Sequence, residues 1–198
     1  MKGQLHSLWS TPVLAFRPPA PDGFNDRLRE LILARQSDPG GTMIGVVDAD
    51  KTRADVLRWP GPEVDQLRSW ILDVAEAMNG HVGAGADSRN RPVAMIAEAW
   101  AVVYRSWGFH HMHSHPGAAW SGVYYVHTGA FTPGTGAIEF LDPRPAANAR
   151  TPDRSPLTAL DPEPGLMLAF PAWQQHWVTP YAGDSTRICV AFNIGFEN

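Results

Sequence analysis

His110-His-Met-His-Ser-His-Pro116, followed closely by Trp120-Ser-Gly-Val-Tyr-Tyr-Val126, is the stretch from which both the fold class and the chemistry are read. Four of the eight histidines fall within six residues, and imidazole is the commonest protein metal ligand. Along a strand, residues two apart share a face. His111, His113 and His115 are therefore expected on one side, with His110 and Met112 on the other. Pro116 cannot donate to a ladder and is expected to end the strand just after His115. Two in-facing histidines make two legs of a facial, three-ligand metal site with open positions, and a remote strand must supply the third. His176, which opens the β-rich run His-Trp-Val-Thr-Pro180, is the best candidate outside the cluster. His6, His81 and His127 read as exposed or hydrogen-bonded residues.

Working outward, the chain changes character near residue 92. After it come short β-rich runs: Val93 to Arg105, about His111 to His115, Trp120 to His127, Ala137 to Leu141, Leu166 to Phe170, His176 to Pro180 and Arg187 to Ile194. Gly, Pro and Asp clusters separate them, as expected of an antiparallel sandwich or barrel. Arg144 to Pro164 has no clear period and reads as a long loop beside the site. Before residue 92 two helices are expected. One covers Asp22 to Gln36, with Asp22 or Asn25 as N-cap; the other covers Pro62 to Asn79, entered at Gly61-Pro62 and left at Asn79-Gly80. Their apolar stripes read as scaffold packed on a sheet. The expected organisation is one domain over 1–198, with a helical and irregular support over 1–92 and a catalytic core over 93–196.

With 198 residues the chain can bury a sizeable core without staples. A net charge of −4, only two lysines (Lys2 and Lys51) and no basic run argue against a nucleic-acid partner. No stretch approaches the ~18 apolar residues of a membrane span. The single cysteine, Cys189, excludes an internal disulfide and fits a reducing compartment, so a cytoplasmic protein without a signal peptide is expected.

Several motifs together carry a resemblance. They are Tyr104-x3-Gly108-x4-His113-x-His115-Pro116, Ser121-Gly-Val-Tyr-Tyr-Val126, Gly136-Ala-Ile-Glu-Phe140, Phe170-Pro171, His176-x-Val-x-Pro-Tyr181 and Arg187-x-Cys-x-Ala-Phe-Asn193. In these the chain resembles the iron(II)- and 2-oxoglutarate-dependent dioxygenases. It is most similar to the small bacterial group with a His-x-His-Pro…Ser-Gly-Val-Tyr-Tyr-Val motif, and more distantly to the prolyl-hydroxylase-like branch. The resemblance covers residues 93–196 well and the N-terminal part weakly. It implies a mainly β fold, a double-stranded β-helix or jelly roll with helices packed outside.

It also implies that His113, His115 and His176 bind Fe(II), with His115 standing where most of the superfamily has aspartate. Arg187 would hold the distal carboxylate of 2-oxoglutarate through its planar, permanently charged fork. Tyr125 would hydrogen-bond the same carboxylate while its neighbour Tyr124 faces the opposite side. Cys189 stands where a serine or threonine is common. O2 would be the second co-substrate, with hydroxylation of a C–H bond and release of succinate and CO2. Weaker site candidates are Asn193, Ser121, His110, His111 and an aromatic wall of Trp107, Trp120, Trp173 and Trp177. An ion pair with Asp184 is the bland reading of Arg187.

The expected partner is a small-molecule or peptide substrate, with no nucleic acid and no membrane; a homodimer is compatible with the sequence. Two other readings stay open. One is a cupin-type three-histidine dioxygenase that does not use 2-oxoglutarate, and the other is a non-catalytic, metal-dependent jelly-roll binding protein.

Overall fold

Period-two alternation in three long strands sets the architecture, because each carries apolar side chains on both faces and both must be covered. The structure, a computed structural model, describes residues 10–36, 43–82, 94–130, 132–144 and 157–197. His6 and most of the expected Arg144 to Pro164 loop lie outside the described residues. In chain order the elements are β1 (Leu14–Phe16), α1 (Phe24–Leu33), β2 (Val46–Lys51), a 3-10 turn (Val56–Arg58), α2 (Pro62–Val82), β3 (Met95–His113), β4 (Trp120–His127), β5 (Ile138–Leu141), β6 (Leu157–Leu160), β7 (Met167–Pro171), β8 (His176–Val178) and β9 (Arg187–Phe196).

Every described pairing is antiparallel, in the order β1-β7-β4-β9-β3-β8-β5-β6 with β2 added on β3. β3 belongs to both halves of this curled sheet. Met95 to Tyr104 pair with β9, whereas His110 and His113 pair with β8. Between these halves the strand bulges: two residue steps on β2, from Val47 to Ala49, face five on β3, from Tyr104 to Phe109. Trp107 takes φ 68 there, and a Cβ on Gly108 would lie 2.5 Å from the Asp48 carbonyl oxygen. Tyr181 pins the bulge, its backbone accepting from Trp107 N–H and donating to the Gly108 carbonyl (2.6 and 3.0 Å). A bulge of this kind bends a strand and lets it serve two layers. Val123 of β4 and Ile138 of β5, from opposite layers, accordingly meet in one inner apolar cluster. The result is the mainly β jelly-roll core expected above.

The other face of the sheet packs on the helices. Ala99, Ala101, Val103, Tyr124, Val190 and Phe192 join Phe24, Leu28, Trp70, Ile71 and Val74 in the larger core. The Trp70 ring stands 4.8 Å from Phe24 and 5.6 Å from Tyr124, whose hydroxyl donates to Asn25 (2.7 Å). This bond uses the side chain that was a candidate N-cap; the cap position of α1 is Gly23, in the left-handed region. The exit of α2 also differs from expectation, because the helix continues through Gly80 to Val82. Buried Asn79 stays inside it, accepting from the Trp120 indole N–H (2.8 Å). Tertiary partners outweigh local stop signals at both ends.

β1 and β2 come from the part read as helical and irregular, and β6 from the far end of the expected loop. β3 unites two runs that the sequence separates. Among the described residues no helix is long and apolar enough to cross a membrane.

Gly122 tests the packing of the two faces. A Cβ there would stand 2.4 Å from the Leu168 carbonyl and 2.2 Å from the Phe192 ring. The Gly122→Ala variant should lose about 2–3 kcal/mol of stability by overpacking, read as a lower urea midpoint. An unchanged midpoint would mean that this contact relaxes freely.

Candidate active site

Two strands and one turn bring three imidazoles together. His113 ends β3 directly opposite His176, the first residue of β8. His115 follows two residues later, fixed by its backbone N–H to the Ala172 carbonyl (2.8 Å). One ligand atom from each of the three lies within 4.8 Å of the other two. The Nδ1 atoms of His113 and His176 each lie 2.8 Å from a carbonyl oxygen, of His111 and Gln174 respectively. A carbonyl can only accept, so Nδ1 carries the proton in both rings and Nε2 keeps its lone pair toward the cluster. Carbonyl partners of this kind orient metal-bound histidines. Burial lowers the basicity of all three rings, to about 4 for His115 and about 3 for His176. They are neutral near pH 7, the form in which imidazole binds a cation. The arrangement suits a divalent ion such as Fe(II), and among the described residues no carboxylate joins the cluster.

The expected alternation fails inside the histidine run. A register shift between His110 and His113 sets three residues of β3 against two of β8. His110 therefore turns to the same side as His113, and the two rings stack at 3.8 Å. His111 is exposed instead, its ring against Phe109. Gly45 makes room for this stack: a Cβ on it would lie 2.5 Å from the His110 ring.

At the other end of the cavity lies Arg187, opposite Tyr104 and only 1% exposed. Its guanidinium faces the rings of Tyr104 and Tyr125 at 4.8 and 5.1 Å. Nη1 donates to the Cys189 sulfur at 3.6 Å, while Nε has no partner. The Tyr125 hydroxyl is also buried and unpartnered. Burial pushes both tyrosines and the Cys189 thiol up, so Arg187 is surrounded by neutral groups. No ion pair joins it to Asp184, whose carboxylate accepts from the Ala130 N–H. A buried cation with unused donors calls for an anion, and a carboxylate matches its fork.

One cavity of about 520 Å³ is lined both by the triad and by Tyr125, Arg187 and Cys189. Ser121 and Asn193 line it too, with the serine hydroxyl donating to the Asn193 Oδ1 (3.0 Å) and the Asn193 amide to Glu98 (3.2 Å). The four tryptophans named above do not form a wall. Trp120 packs under the helices, while Trp107 and Trp173 are 65% and 57% exposed. Trp100, Glu98 and Lys51 line the cavity without having been site candidates in the sequence, and Tyr104 entered only as the first residue of a motif. Alternation on β3 places Glu98, Trp100 and Tyr104 on one face, but only the β9 register shows that this is the face of Arg187.

Residues 98–193 match the family model described as "Putative 2OG-Fe(II) oxygenase". The matched segment is the part of the chain that carries the histidine triad, Tyr125 and Arg187. Among solved structures, the fold is similar to a Pseudomonas putida prolyl-4-hydroxylase, at 15% identity over 96% of each chain and a TM-score of 0.68. It is also similar to HygX from Streptomyces hygroscopicus with nickel and 2-oxoglutarate bound, at 12% identity over 93% of this chain and 83% of that one, with a TM-score of 0.64. A third is the viral collagen prolyl hydroxylase of Paramecium bursaria Chlorella virus-1 in its 2-oxoglutarate complex, at 12% identity over 92% and 94%, with a TM-score of 0.61. At these identities the likeness is one of fold. No curated protein matches the sequence.

The histidine chemistry has a direct spectroscopic test. In the metal-free protein at pH 6, long-range ¹H–¹⁵N spectra should show His113 and His176 as neutral Nδ1–H tautomers. The folded value of His176, about 3, lies below the ordinary 6.5. As pH falls below about 6.5 the unfolded chain therefore takes up protons first, and stability should drop between pH 7 and pH 5. A cationic His176 signal at pH 5 would contradict the burial argument.

Proposed function

We propose that this protein is a non-haem Fe(II)- and 2-oxoglutarate-dependent dioxygenase that hydroxylates a C–H bond of a small-molecule or peptide substrate. His113, His115 and His176 would hold the iron, the first and last through the Nε2 atoms that their Nδ1 hydrogen bonds leave free, and Arg187 with Tyr125 would receive the distal carboxylate of 2-oxoglutarate. The observation that carries this reading is the buried Arg187 guanidinium, with an unsatisfied Nε and only a sulfur acceptor on Nη1, beside the orphan Tyr125 hydroxyl in the same cavity as the triad. A buried hydroxyl without a partner costs about 1–3 kcal/mol, a cost that an arriving carboxylate removes.

With 2-oxoglutarate and O2, bound Fe(II) supplies an oxidation in which one oxygen atom enters succinate, the other enters the substrate, and CO2 leaves. The side chains bind, orient and exclude water. The backbone carbonyls of His111 and Gln174 hold two ligand rings in one tautomer. His110, stacked on His113, limits the rotation of that ring. Phe170, 4.7 Å from His176, and Trp100, 5.8 Å from His115, shield the centre with apolar surface. Cys189 gives Arg187 only a weak sulfur acceptor, leaving most of the fork's hydrogen-bonding capacity for the co-substrate. The single buried cysteine is compatible with a cytoplasmic setting.

The third neutral ligand, His115, favours a second reading: a three-histidine dioxygenase that does not use 2-oxoglutarate. That reading leaves Arg187 and Tyr125 without a partner.

Anaerobic addition of Fe(II) and then 2-oxoglutarate should produce a weak visible charge-transfer band. Binding of iron with no band and no succinate release would select the second reading. Arg187→Ala should leave metal binding intact and weaken 2-oxoglutarate by about 2–5 kcal/mol, at least about 30-fold by calorimetry. His176→Ala should abolish stoichiometric binding of Fe(II) or Co(II), and retention at wild-type affinity would remove it from the ligand set.

A further inference from the structure

We infer that Lys51 forms a second anion subsite in the cavity and anchors a carboxylate of the substrate that is oxidised, a small organic acid. The inference rests on the co-substrate role proposed for Arg187. 2-Oxoglutarate has two carboxylates; on that reading one meets Arg187 and the other, with the keto oxygen, meets the metal. Neither is left for Lys51.

Lys51 ends β2 opposite Val102 and lines the cavity. Its ammonium rests 4.6 Å from the centre of the Trp100 ring, which itself stands 5.8 Å from the His115 ring. The positive charge therefore lies on the wall beside the metal triad, and is felt by His110, His113 and His115. Among the described residues no oxygen accepts a hydrogen bond from it, and Glu98, the acid that acts on it electrostatically, forms no ion pair with it. Arg53, which also lines the cavity, is 4.0 Å from Asp55. Lys51 is thus the one cationic side chain of the cavity, besides Arg187, without a carboxylate in ion-pair contact among the described residues; Glu98, on the same cavity wall, acts on it only from a distance.

A half-buried ammonium supported only by a ring face retains three free donors. One charge with a few donors suits a carboxylate; a phosphate dianion would call for more positive charge. The cavity must also hold the co-substrate, so the remaining space fits a small acid. Lys51 lies outside the matched segment 98–193, so this subsite is a feature of the chain beyond the part that the family model covers. Lys51 is accordingly a specificity-determining residue, and the acid's reacting C–H is the one that faces the triad when its carboxylate meets the ammonium.

The chain has only two lysines, so protein labelled with [ε-¹³C]lysine gives two side-chain signals, and the one absent from the Lys51→Met variant is Lys51. The protein is loaded with Zn(II), a redox-silent stand-in for iron, saturated with 2-oxoglutarate, and titrated with propionate, benzoate and glycine. Propionamide and benzamide serve as uncharged controls. At least one acid should move the Lys51 signal saturably while its amide does not. Lys51→Met should weaken that acid at least about tenfold in saturation-transfer spectra, while 2-oxoglutarate affinity stays within about twofold. A Lys51 signal unmoved by every acid, or moved equally by the amides, overturns the proposal. A signal already moved by 2-oxoglutarate, with tenfold weaker 2-oxoglutarate binding in Lys51→Met, overturns it too by assigning Lys51 to the co-substrate. Failure of 2-oxoglutarate to bind the wild-type protein would instead overturn the Arg187 reading. The acid titration of Zn(II)-loaded protein without 2-oxoglutarate still decides whether Lys51 is an anion site.

Discussion

The bulged crossing of β3 is the constraint on which the cavity depends. One continuous strand pairs with β9 up to Tyr104 and with β8 from His110, so it touches both ends of the site. The Tyr104–Arg187 register sets the cation at one end, and the His113–His176 register sets two of the three imidazoles at the other. Gly108 and the two Tyr181 hydrogen bonds hold the strand in its bent course. Moving the bend by one residue would exchange inward and outward side chains in the later half, because side-chain direction alternates along a strand. The triad and Arg187 are thus mechanically linked through one backbone, although none of the described contacts joins an imidazole of the triad to the guanidinium.

Charge explains why the interior is arranged as it is. Three neutral imidazoles gather where a cation can be shared, and an unpaired guanidinium stands where an anion can be received. Each alone is a desolvation cost to the empty fold. On the proposed reading, a divalent ion and a dianionic co-substrate would offset both costs, and with one carboxylate on the metal and three neutral imidazoles the filled first ligand shell would carry one net positive charge. With an aspartate in place of His115 the same centre would carry an extra negative charge. A centre with one more positive charge is more favourable to a second anion nearby, and it is beside this centre that the Lys51 ammonium stands against the Trp100 ring.

What was legible in the sequence follows the range of the interaction that decides each feature. β4 and β9 were readable because they are long and apolar on both faces. His113, His115 and His176 were readable because two histidines one residue apart, and a third opening a later strand, have the spacing that a shared ion needs. β1 is three residues long, and β2, Val-Val-Asp-Ala-Asp-Lys, alternates too weakly to be recognised; both are strands because β7 and β3 offer them edges. The bulge between His110 and His113 was invisible, since nothing local says that three residues will face two. It brings the His110 ring onto His113 inside the cavity and leaves His111 exposed, its ring against Phe109, although His111 still lines the cavity. Lys51 was unreadable for the same reason: it lies far from the histidines along the chain and reaches them only through the pairing of β2 with β3.

The run Ser121 to Tyr125 shows why so compact a motif can be informative. Ser121 bonds to Asn193 at the cavity wall, while Gly122 leaves room for the Phe192 ring and the Leu168 carbonyl on the opposite face. Val123 returns to the inner cluster, Tyr124 crosses to the helices and holds Asn25, and Tyr125 turns inward to Arg187. Two adjacent tyrosines therefore do unlike work for one reason, the alternation of the strand. Tyr124 ties the scaffold to the sheet, and Tyr125 offers its hydroxyl to the cavity. A change that slipped β4 by one residue would put the Tyr125 phenol under the helices and take it from Arg187, so register on this strand is a condition of stability and, on the proposed reading, of anion recognition.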